Sequence, residues 1–313
     1  MKEIGGYFGL ELGHFPSAYH NKAIALNSAR NALRYIIKAY HIKKMFVPYY
    51  TCPVVWQAID SENCKIFPYD IDFNFFPVSS FQTNDFILYN NWFGICGKNI
   101  NILAKQFPHL IVDNAQSFYS LPKGCASFYS PRKFFGLPDG GLLFCKKEYN
   151  KKFNKALSFD LCKHLLKRID LNASSGYKDF QKADSALINR PIELMSNLTH
   201  SLMETIDYKE TKKRRLKNFN VLHQSLKHKN HLKINLCKQD VPMVYPFYTE
   251  DLTLRDRLIH NKIYVATYWP LQAKNKCMRS KAAQNMAQKI VPLPIDQRYD
   301  AADMYRILEV ING

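Results

Sequence analysis

The first half of the chain alternates short apolar runs with segments of helical periodicity, and this alternation restricts the folds that the chain can adopt. The runs are only a few residues long, which is typical of buried strands. They lie at residues 45–47, 65–67, 86–88 and 110–112. A helical face precedes them at Ala29, Leu33, Ile36, Ile37 and Tyr40. Because strands that alternate with helices favour a parallel sheet with crossover helices, we predict an α/β fold with a mostly parallel central sheet flanked by helices.

The second half of the chain has apolar residues at helical spacing. One stripe predicts a single long helix through Leu194, Leu198, Leu202, Ile206, Phe219, Leu222 and Leu226. Another predicts a C-terminal helix through Ala301, Met304, Tyr305, Leu308 and Ile311. The 313 residues exceed one ordinary domain, and the apolar content of 47% suffices for a buried core. We expect a large domain over residues 1–190 and a smaller α+β domain over residues 191–313.

The composition argues against a secreted, metal-stabilised or membrane-spanning protein. The eight cysteines form no C-x-x-C pair and no cluster with zinc-like spacing, and no signal peptide precedes them. No apolar run approaches the roughly 20 residues that span a bilayer. We therefore expect a cytoplasmic protein with reduced thiols and no disulfides, structural metal or transmembrane helix.

The net charge of +18 is the strongest anomaly in the composition. Such an excess attracts nucleic acid, acidic membrane surfaces or phosphorylated small molecules. The densest basic run lies at residues 209–217, and Lys163, Lys167 and Arg168 form a second basic segment. Runs of this kind are more commonly solvated helix faces. No zinc finger, helix-turn-helix or aromatic-interleaved motif accompanies them, so nucleic acid is not the expected partner.

One lysine stands out because it lies in a turn between two strand-like segments. This is Lys133, within residues 127–141, and Asp113 ends an apolar run twenty residues upstream. A lysine in a cleft can lose its proton and attack an aldehyde. A carboxylate at a strand end can pair with a protonated pyridine nitrogen. Together the two residues indicate pyridoxal phosphate, although each alone is commonly a turn residue or a helix cap.

Four motifs, in this order, resemble the DegT/DnrJ/EryC1/StrS family of sugar aminotransferases, which belong to the fold type I class that uses pyridoxal phosphate. The resemblance covers most of the chain. The motifs are a small-residue turn that opens a helix at residues 28–33, the acid-containing segment at 113–116, Ser127-Phe128 followed by Lys133 and Gly140-Gly141, and a Leu-Pro segment at 291–295.

The resemblance implies a role for each candidate residue. Lys133 would bind the cofactor and, once freed, move a proton between cofactor and substrate carbons. Asp113 would keep the ring nitrogen protonated, while Gln116 and Asn91 would contact the oxygen side of the ring. Asn91 also suits a turn and Gln116 a helix cap. The phosphate would be held at a helix N-terminus by Ser28, Ala29, Arg30 and Ser127.

Two positions near the expected cofactor depart from the family pattern. Ala29-Arg30 stands where members usually have Gly-Thr, and a guanidinium would anchor a phosphate more strongly than a hydroxyl. Cys52 stands where members have the aromatic residue that covers the ring. The candidates to replace that aromatic contact are Tyr50, Trp92 and Phe93.

Two phosphate contacts are ambiguous in the sequence. Ser127 lies six residues before Lys133, one more than in typical members, so Ser130 competes with it, and we favour Ser127. The family's Asn-Arg-Met-Ser element, which reaches the phosphate of a partner chain, is only partly matched at residues 194–196, and Asn189 is the candidate for that contact.

The resemblance implies an aminotransferase that moves an amino group from glutamate to a keto-sugar, expected to be nucleotide-linked, in polysaccharide or natural-product sugar synthesis. Related dehydratases replace the lysine with histidine, so Lys133 favours transamination. A homodimer is expected because the family builds its site across two chains. Two alternatives stay open: a regulator or scaffold with this fold, and a basic protein that binds polyanions.

Overall fold

The computed structural model describes residues 10–15, 19–269 and 280–313. Its centre is an eight-stranded sheet in the order β1-β8-β7-β6-β5-β2-β3-β4. The strands are β1 (Ile24–Leu26), β2 (Lys44–Pro48), β3 (Lys65–Ile71), β4 (Pro77–Val78), β5 (Ile87–Asn90), β6 (Leu110–Asp113), β7 (Ala126–Tyr129) and β8 (Gly141–Cys145). Strands β3, β2, β5, β6 and β7 run parallel, and antiparallel strands complete both edges. The predicted α/β class and mostly parallel sheet are confirmed.

The four apolar runs predicted as strands form β2, β3, β5 and β6. Every residue of β5 and β6 is buried. This follows from their central place in a parallel sheet, where helices cover both faces and leave no solvent-facing side. Both strands end in a polar residue, Asn90 and Asp113, and these two residues are direct partners in the ladder.

Helices of the first part of the chain flank the sheet. They are α1 (Ala29–Tyr40), α2 (Pro53–Asp60), α3 (Gly97–Gln106), α4 (Lys163–Asp170) and α5 (Ala173–Ala186). Helix α1 begins at Ser28, whose hydroxyl oxygen accepts a hydrogen bond from the amide of Asn31 at 3.1 Å, as an N-cap should. Its buried face, with Leu33 and Ile36, packs into the same core as β7 and β8. The predicted face of this helix is therefore confirmed.

The second half contains helices and a small antiparallel sheet. The elements are α6 (Asn197–Glu204), α7 (Tyr208–Leu226), β9 (Val244–Tyr248), α8 (Leu254–His260), α9 (Lys281–Lys289), β10 (Ile290–Pro294) and α10 (Ala301–Asn312). The predicted C-terminal helix is confirmed as α10. The prediction of one long helix through residues 194–226 is wrong. The helix is interrupted between α6 and α7. There the Asp207 side chain accepts a hydrogen bond from the Glu210 amide at 2.9 Å and caps the start of α7.

The two halves of the chain share a core. One buried cluster joins Tyr89 and Val112 of the large sheet to Leu222 of α7 and Leu308 of α10. The amide of Asn27 also donates to the carbonyl of Glu193 at 2.9 Å, across the expected boundary. The division at residues 190 and 191 stays a prediction. No helix in the described ranges combines the length and apolar character needed to cross a bilayer.

Candidate functional site

A cavity of about 180 Å³ lies beside the C-terminal ends of the parallel strands, where ligands of α/β sheets bind. It brings together the end of β6, the N-terminus of α1 and the turn that follows β7. Its polar and charged lining residues are Ser28, Arg30, Cys52, Asp113, Ser130, Arg132, Lys133 and Asp184. Five residues predicted from the sequence therefore meet in one place: Ser28, Ala29, Arg30, Asp113 and Lys133.

Asp113 is the acid of the cavity, and its side chain is buried. One carboxylate oxygen accepts a hydrogen bond from the amide of Ala115 at 2.8 Å. Burial raises the pKa of Asp113, while the positive charge of Lys133 and the Ala115 amide act in the opposite direction. A buried carboxylate in this setting is stabilised when a cation shares the cavity with it.

Lys133 is the last residue of a short 3-10 turn, Pro131–Lys133, between β7 and β8. Its amide donates to the carbonyl of Ser130 at 3.1 Å. The residue is exposed in this single chain but lines the cavity. Its charge affects the pKa values of both Asp113 and Cys52. The amine and the acid predicted to act on one ligand therefore line one cavity.

The N-terminus of α1 forms a second wall because two glycines let β8 approach it closely. A Cβ atom on Gly141 would lie 2.2 Å from the carbonyl carbon of Ser28, closer than any side chain tolerates. Gly140 has φ +122°, a conformation that favours glycine. The Gly-Gly pair therefore places the first turn of α1, with its free amide groups, at the cavity.

Two arginines make the cavity basic. Arg30 donates from Nη1 to the carbonyl of Leu187 at 2.5 Å, and Arg132 donates from Nη1 to Asp184 at 3.3 Å. The Nε atoms of both arginines are buried without a partner among the described residues. Burial lowers the pKa of Arg30, with the charge of Asp184 opposing this effect. Guanidinium groups with a free donor beside a helix N-terminus are suited to bind a phosphate.

The two competing serines lie in different places. Ser127 is fully buried in β7, and its hydroxyl donates to the carbonyl of Lys123 at 2.8 Å and accepts from the Lys123 amide at 2.9 Å. It does not line the cavity, whereas Ser130 does. A strand alternates its side chains between two faces, and Ser127 points to the face away from the cavity, whereas its neighbour Phe128 lines it. The contact of Ser127 with the phosphate stays a prediction, and of the two serines only Ser130 lines the cavity.

Asn91 and Gln116 lie behind the cavity wall rather than on it. The Asn91 amide group donates to the side chains of Asn114 at 3.0 Å and Ser120 at 3.2 Å, and its oxygen accepts from the Cys96 amide at 3.0 Å. The Gln116 oxygen accepts from the Phe93 amide at 2.7 Å, which leaves its Nε2 group buried without a partner among the described residues. Their contacts with the cofactor stay predictions.

Cys52 lies on the cavity wall, at the start of α2. Burial raises the pKa of its thiol, and the charge of Lys133 partly opposes this. The three aromatic candidates for the ring contact, Tyr50, Trp92 and Phe93, are buried in the core and do not line the cavity. Asn189, the candidate for a partner-chain contact, is exposed and also lies outside the cavity.

Sequence reasoning missed the residues that α5 and its neighbours contribute. Arg132 was adjacent to the predicted lysine, and its charge was a signal that we did not use. Asp184 and Leu187 come from a polar segment fifty residues further on, and nothing in its pattern indicated that it folds over the cavity.

Comparison with known proteins supports the fold. No family model matches this chain, and no curated protein matches it. Solved structures do. The chain is similar to a DegT DnrJ EryC1 StrS aminotransferase from Brucella abortus, with 16% identity, a TM-score of 0.62, and coverage of 93% of this chain and 85% of that chain. It is also similar to DesV from S. venezuelae in complex with a ketimine intermediate, with 16% identity, a TM-score of 0.63, and coverage of 92% and 83%.

A third similar structure is NtdA from Bacillus subtilis with bound cofactor PMP, with 14% identity, a TM-score of 0.63, and coverage of 93% of this chain and 73% of that chain. At these identities the likeness shows a common fold. The fold type I architecture expected from the sequence motifs is therefore confirmed.

Proposed function

We propose that this chain is a pyridoxal-phosphate-dependent aminotransferase that acts on a keto-sugar. The observation that carries the proposal is the cavity in which Lys133, Asp113 and the N-terminus of α1 meet. A reactive amine, a buried acid and an anion site are the three groups that this cofactor requires. The fold shared with the Brucella abortus aminotransferase and DesV supports the same reading.

The phosphate of the cofactor fits the basic end of the cavity. The first-turn amides of α1, beginning at Ala29, would donate to its oxygens, as would the Ser28 and Ser130 hydroxyls. Arg30 and Arg132 carry free Nε donors that no described residue satisfies. Charge-assisted hydrogen bonds of this kind are stronger than those between neutral groups.

Asp113 and Lys133 would hold the pyridine ring of the cofactor. Asp113 would pair with the ring nitrogen, which would give its buried carboxylate a directly bonded cation. The cofactor supplies an electron sink for negative charge on the substrate carbon. Lys133 Nζ would hold the cofactor and, once freed, would take a proton from the substrate carbon and return one.

The substrate and partner chain follow from the sequence resemblance. We propose a nucleotide-linked keto-sugar as acceptor and glutamate as amino donor, in polysaccharide or natural-product sugar synthesis within the cytoplasm. We also propose a homodimer. The exposure of Lys133 in the single chain supports it, because a partner surface would exclude water from the amine.

The test begins with the purified protein and pyridoxal phosphate. We expect a visible absorbance band in the wild type and in Lys123→Ala, a matched variant of an exposed lysine, but not in Lys133→Ala. Glutamate should bleach the band, and nucleotide-linked keto-sugars should then restore it and yield an amino-sugar detectable by mass spectrometry. A band that responds to no amino donor would favour the regulator or scaffold.

A further inference from the structure

The carbonyl oxygen of Phe134, the residue that follows Lys133, is held by two side chains from the second half of the chain. Gln297 donates to it from Nε2 at 2.7 Å. Arg215 donates to it from Nη2 at 3.4 Å. Neither residue lines the cavity, so they contact the lysine turn from behind.

Arg215 is only 1% exposed, although it lies in the most basic run of the sequence. Its Nη1 donates to the carbonyl of Met243 at 3.0 Å, and its guanidinium carbon lies 4.5 Å from the centre of the Phe134 ring. Burying a guanidinium is costly unless its contacts compensate. The contacts of the Arg215 guanidinium include both the carbonyl and the ring of Phe134. The buried charge therefore interacts directly with the residue next to Lys133.

Gln297 is held in place by the same helix that carries Arg215. The Asn218 side chain, also on α7, donates to the carbonyls of Ile295 at 3.3 Å, Asp296 at 3.3 Å and Tyr299 at 2.9 Å. These bonds fix the connection between β10 and α10, on which Gln297 lies. Helix α7 therefore supplies one donor to Phe134 directly and supports the other.

The peptide groups on both sides of Phe134 are fixed. The amides of Phe134 and Phe135 each donate to the carbonyl of Pro131 at 3.0 Å. Arg215 and Gln297 fix a third polar group of these two peptides, the Phe134 carbonyl. Because the backbone after Lys133 is held in this way, the direction of the Cα–Cβ bond of Lys133 is fixed.

We infer that Arg215 and Gln297 are positioning residues that aim Lys133 at the cofactor by holding the Phe134 carbonyl. The inference rests on the proposed function of Lys133. Residues of the second half of the chain would then position the reactive lysine of the first half. Neither the types nor the spacing of these residues indicates this role in the sequence.

The experiment measures how fast Lys133 links to pyridoxal phosphate. Protein without cofactor is mixed with pyridoxal phosphate, and the rise of visible absorbance is followed by stopped flow in the wild type, Gln297→Met, Arg215→Met and the exposed control Arg214→Met. We expect linkage to slow by about 10- to 100-fold in the first two variants, since a displacement of about 1 Å can cost about 100-fold. The control should match the wild type.

A second measurement separates positioning from general support of the fold. The analogue 4′-deoxypyridoxine 5′-phosphate has no aldehyde, so it can occupy the cavity without linking to the lysine. Gln297 is half-buried, so Gln297→Met should still fold. Calorimetry should show that this variant binds the analogue with unchanged affinity. Unchanged linkage rates in this variant, or an equal loss of analogue affinity, would overturn the inference. A wild type that binds the analogue yet never links to pyridoxal phosphate would instead defeat the proposed function, and the inference with it.

Discussion

Gly141 lies against Ser28 so closely that a Cβ atom on the glycine would stand 2.2 Å from the serine carbonyl carbon. This contact joins β8 to the first turn of α1 and sets one wall of the cavity. The same two elements meet again through a bridge between Ser28 and Gly140. The position of the helix N-terminus thus depends on the absence of a side chain.

Replacing this glycine should disturb both stability and the proposed phosphate site. In Gly141→Ala we expect a loss of about 1–3 kcal/mol in the free energy of unfolding, because the new methyl group must displace backbone atoms. Gly136→Ala is the matched control, since its nearest neighbour would be a Leu165 side-chain atom at 3.5 Å. Denaturant unfolding measures both. Equal stabilities for the two variants would show that the contact is not tight.

The two arginines should bind the phosphate of the cofactor. Hydrogen bonds to charged groups contribute about 1.5–3 kcal/mol, so Arg30→Met and Arg132→Met should each weaken pyridoxal phosphate binding by about 10- to 100-fold. Pyridoxal, which lacks the phosphate, is the control ligand. Calorimetry should show its affinity unchanged. Equal losses for both ligands would mean that the arginines act on something other than the phosphate.

The two serines should give opposite results. Ser130→Ala should weaken binding of pyridoxal phosphate without changing thermal stability, because Ser130 lines the cavity. Ser127→Ala should lower the free energy of unfolding by about 1–3 kcal/mol, because the buried Ser127 hydroxyl loses two hydrogen bonds to the Lys123 backbone, and should leave affinity unchanged. Paired calorimetry and unfolding experiments decide the matter. A loss of affinity in Ser127→Ala alone would instead support the choice of Ser127 made from the sequence.

Asp240 should make the stability of the protein depend on pH. Burial raises its pKa from 3.8 to about 6, although the Cys237 and Gly97 amides oppose this. The folded state therefore holds this proton more tightly than the unfolded state. Stability should fall as pH rises through the window between these two pKa values, by at most about 3 kcal/mol from this group. The difference in unfolding free energy between wild type and Asp240→Asn should change across that window and be constant above it. A difference that is flat with pH would contradict the assignment.

Much of the fold could be predicted because its signals are local. Short apolar runs such as residues 110–112 have the length and burial of central parallel strands, and β6 forms there. The helix over residues 194–226 was mispredicted because apolar residues keep the same helical spacing on both sides of the interruption, so their pattern does not show it. The side-chain cap at Asp207 outweighs the periodicity at that point.

The site could be predicted where its residues lie at strand ends or in recognisable motifs, as Asp113 and Ser28 do. Asp113 ends β6 and Lys133 follows the neighbouring β7, so their meeting follows from the order of a parallel sheet. Asp184 reaches the cavity through the packing of α5, which no local pattern encodes. Arg215 lies in a basic run that looked like a solvated face, and only the tertiary structure shows that it is buried.

The central claim, that Lys133 forms a covalent link with pyridoxal phosphate opposite Asp113, has a direct test. Protein incubated with pyridoxal phosphate is reduced with borohydride, digested, and mapped by mass spectrometry. We expect a stable cofactor adduct on the peptide that contains Lys133, at much lower yield in Asp113→Ala and absent from Lys133→Ala. An adduct spread over surface lysines at equal yield in all three proteins would contradict it.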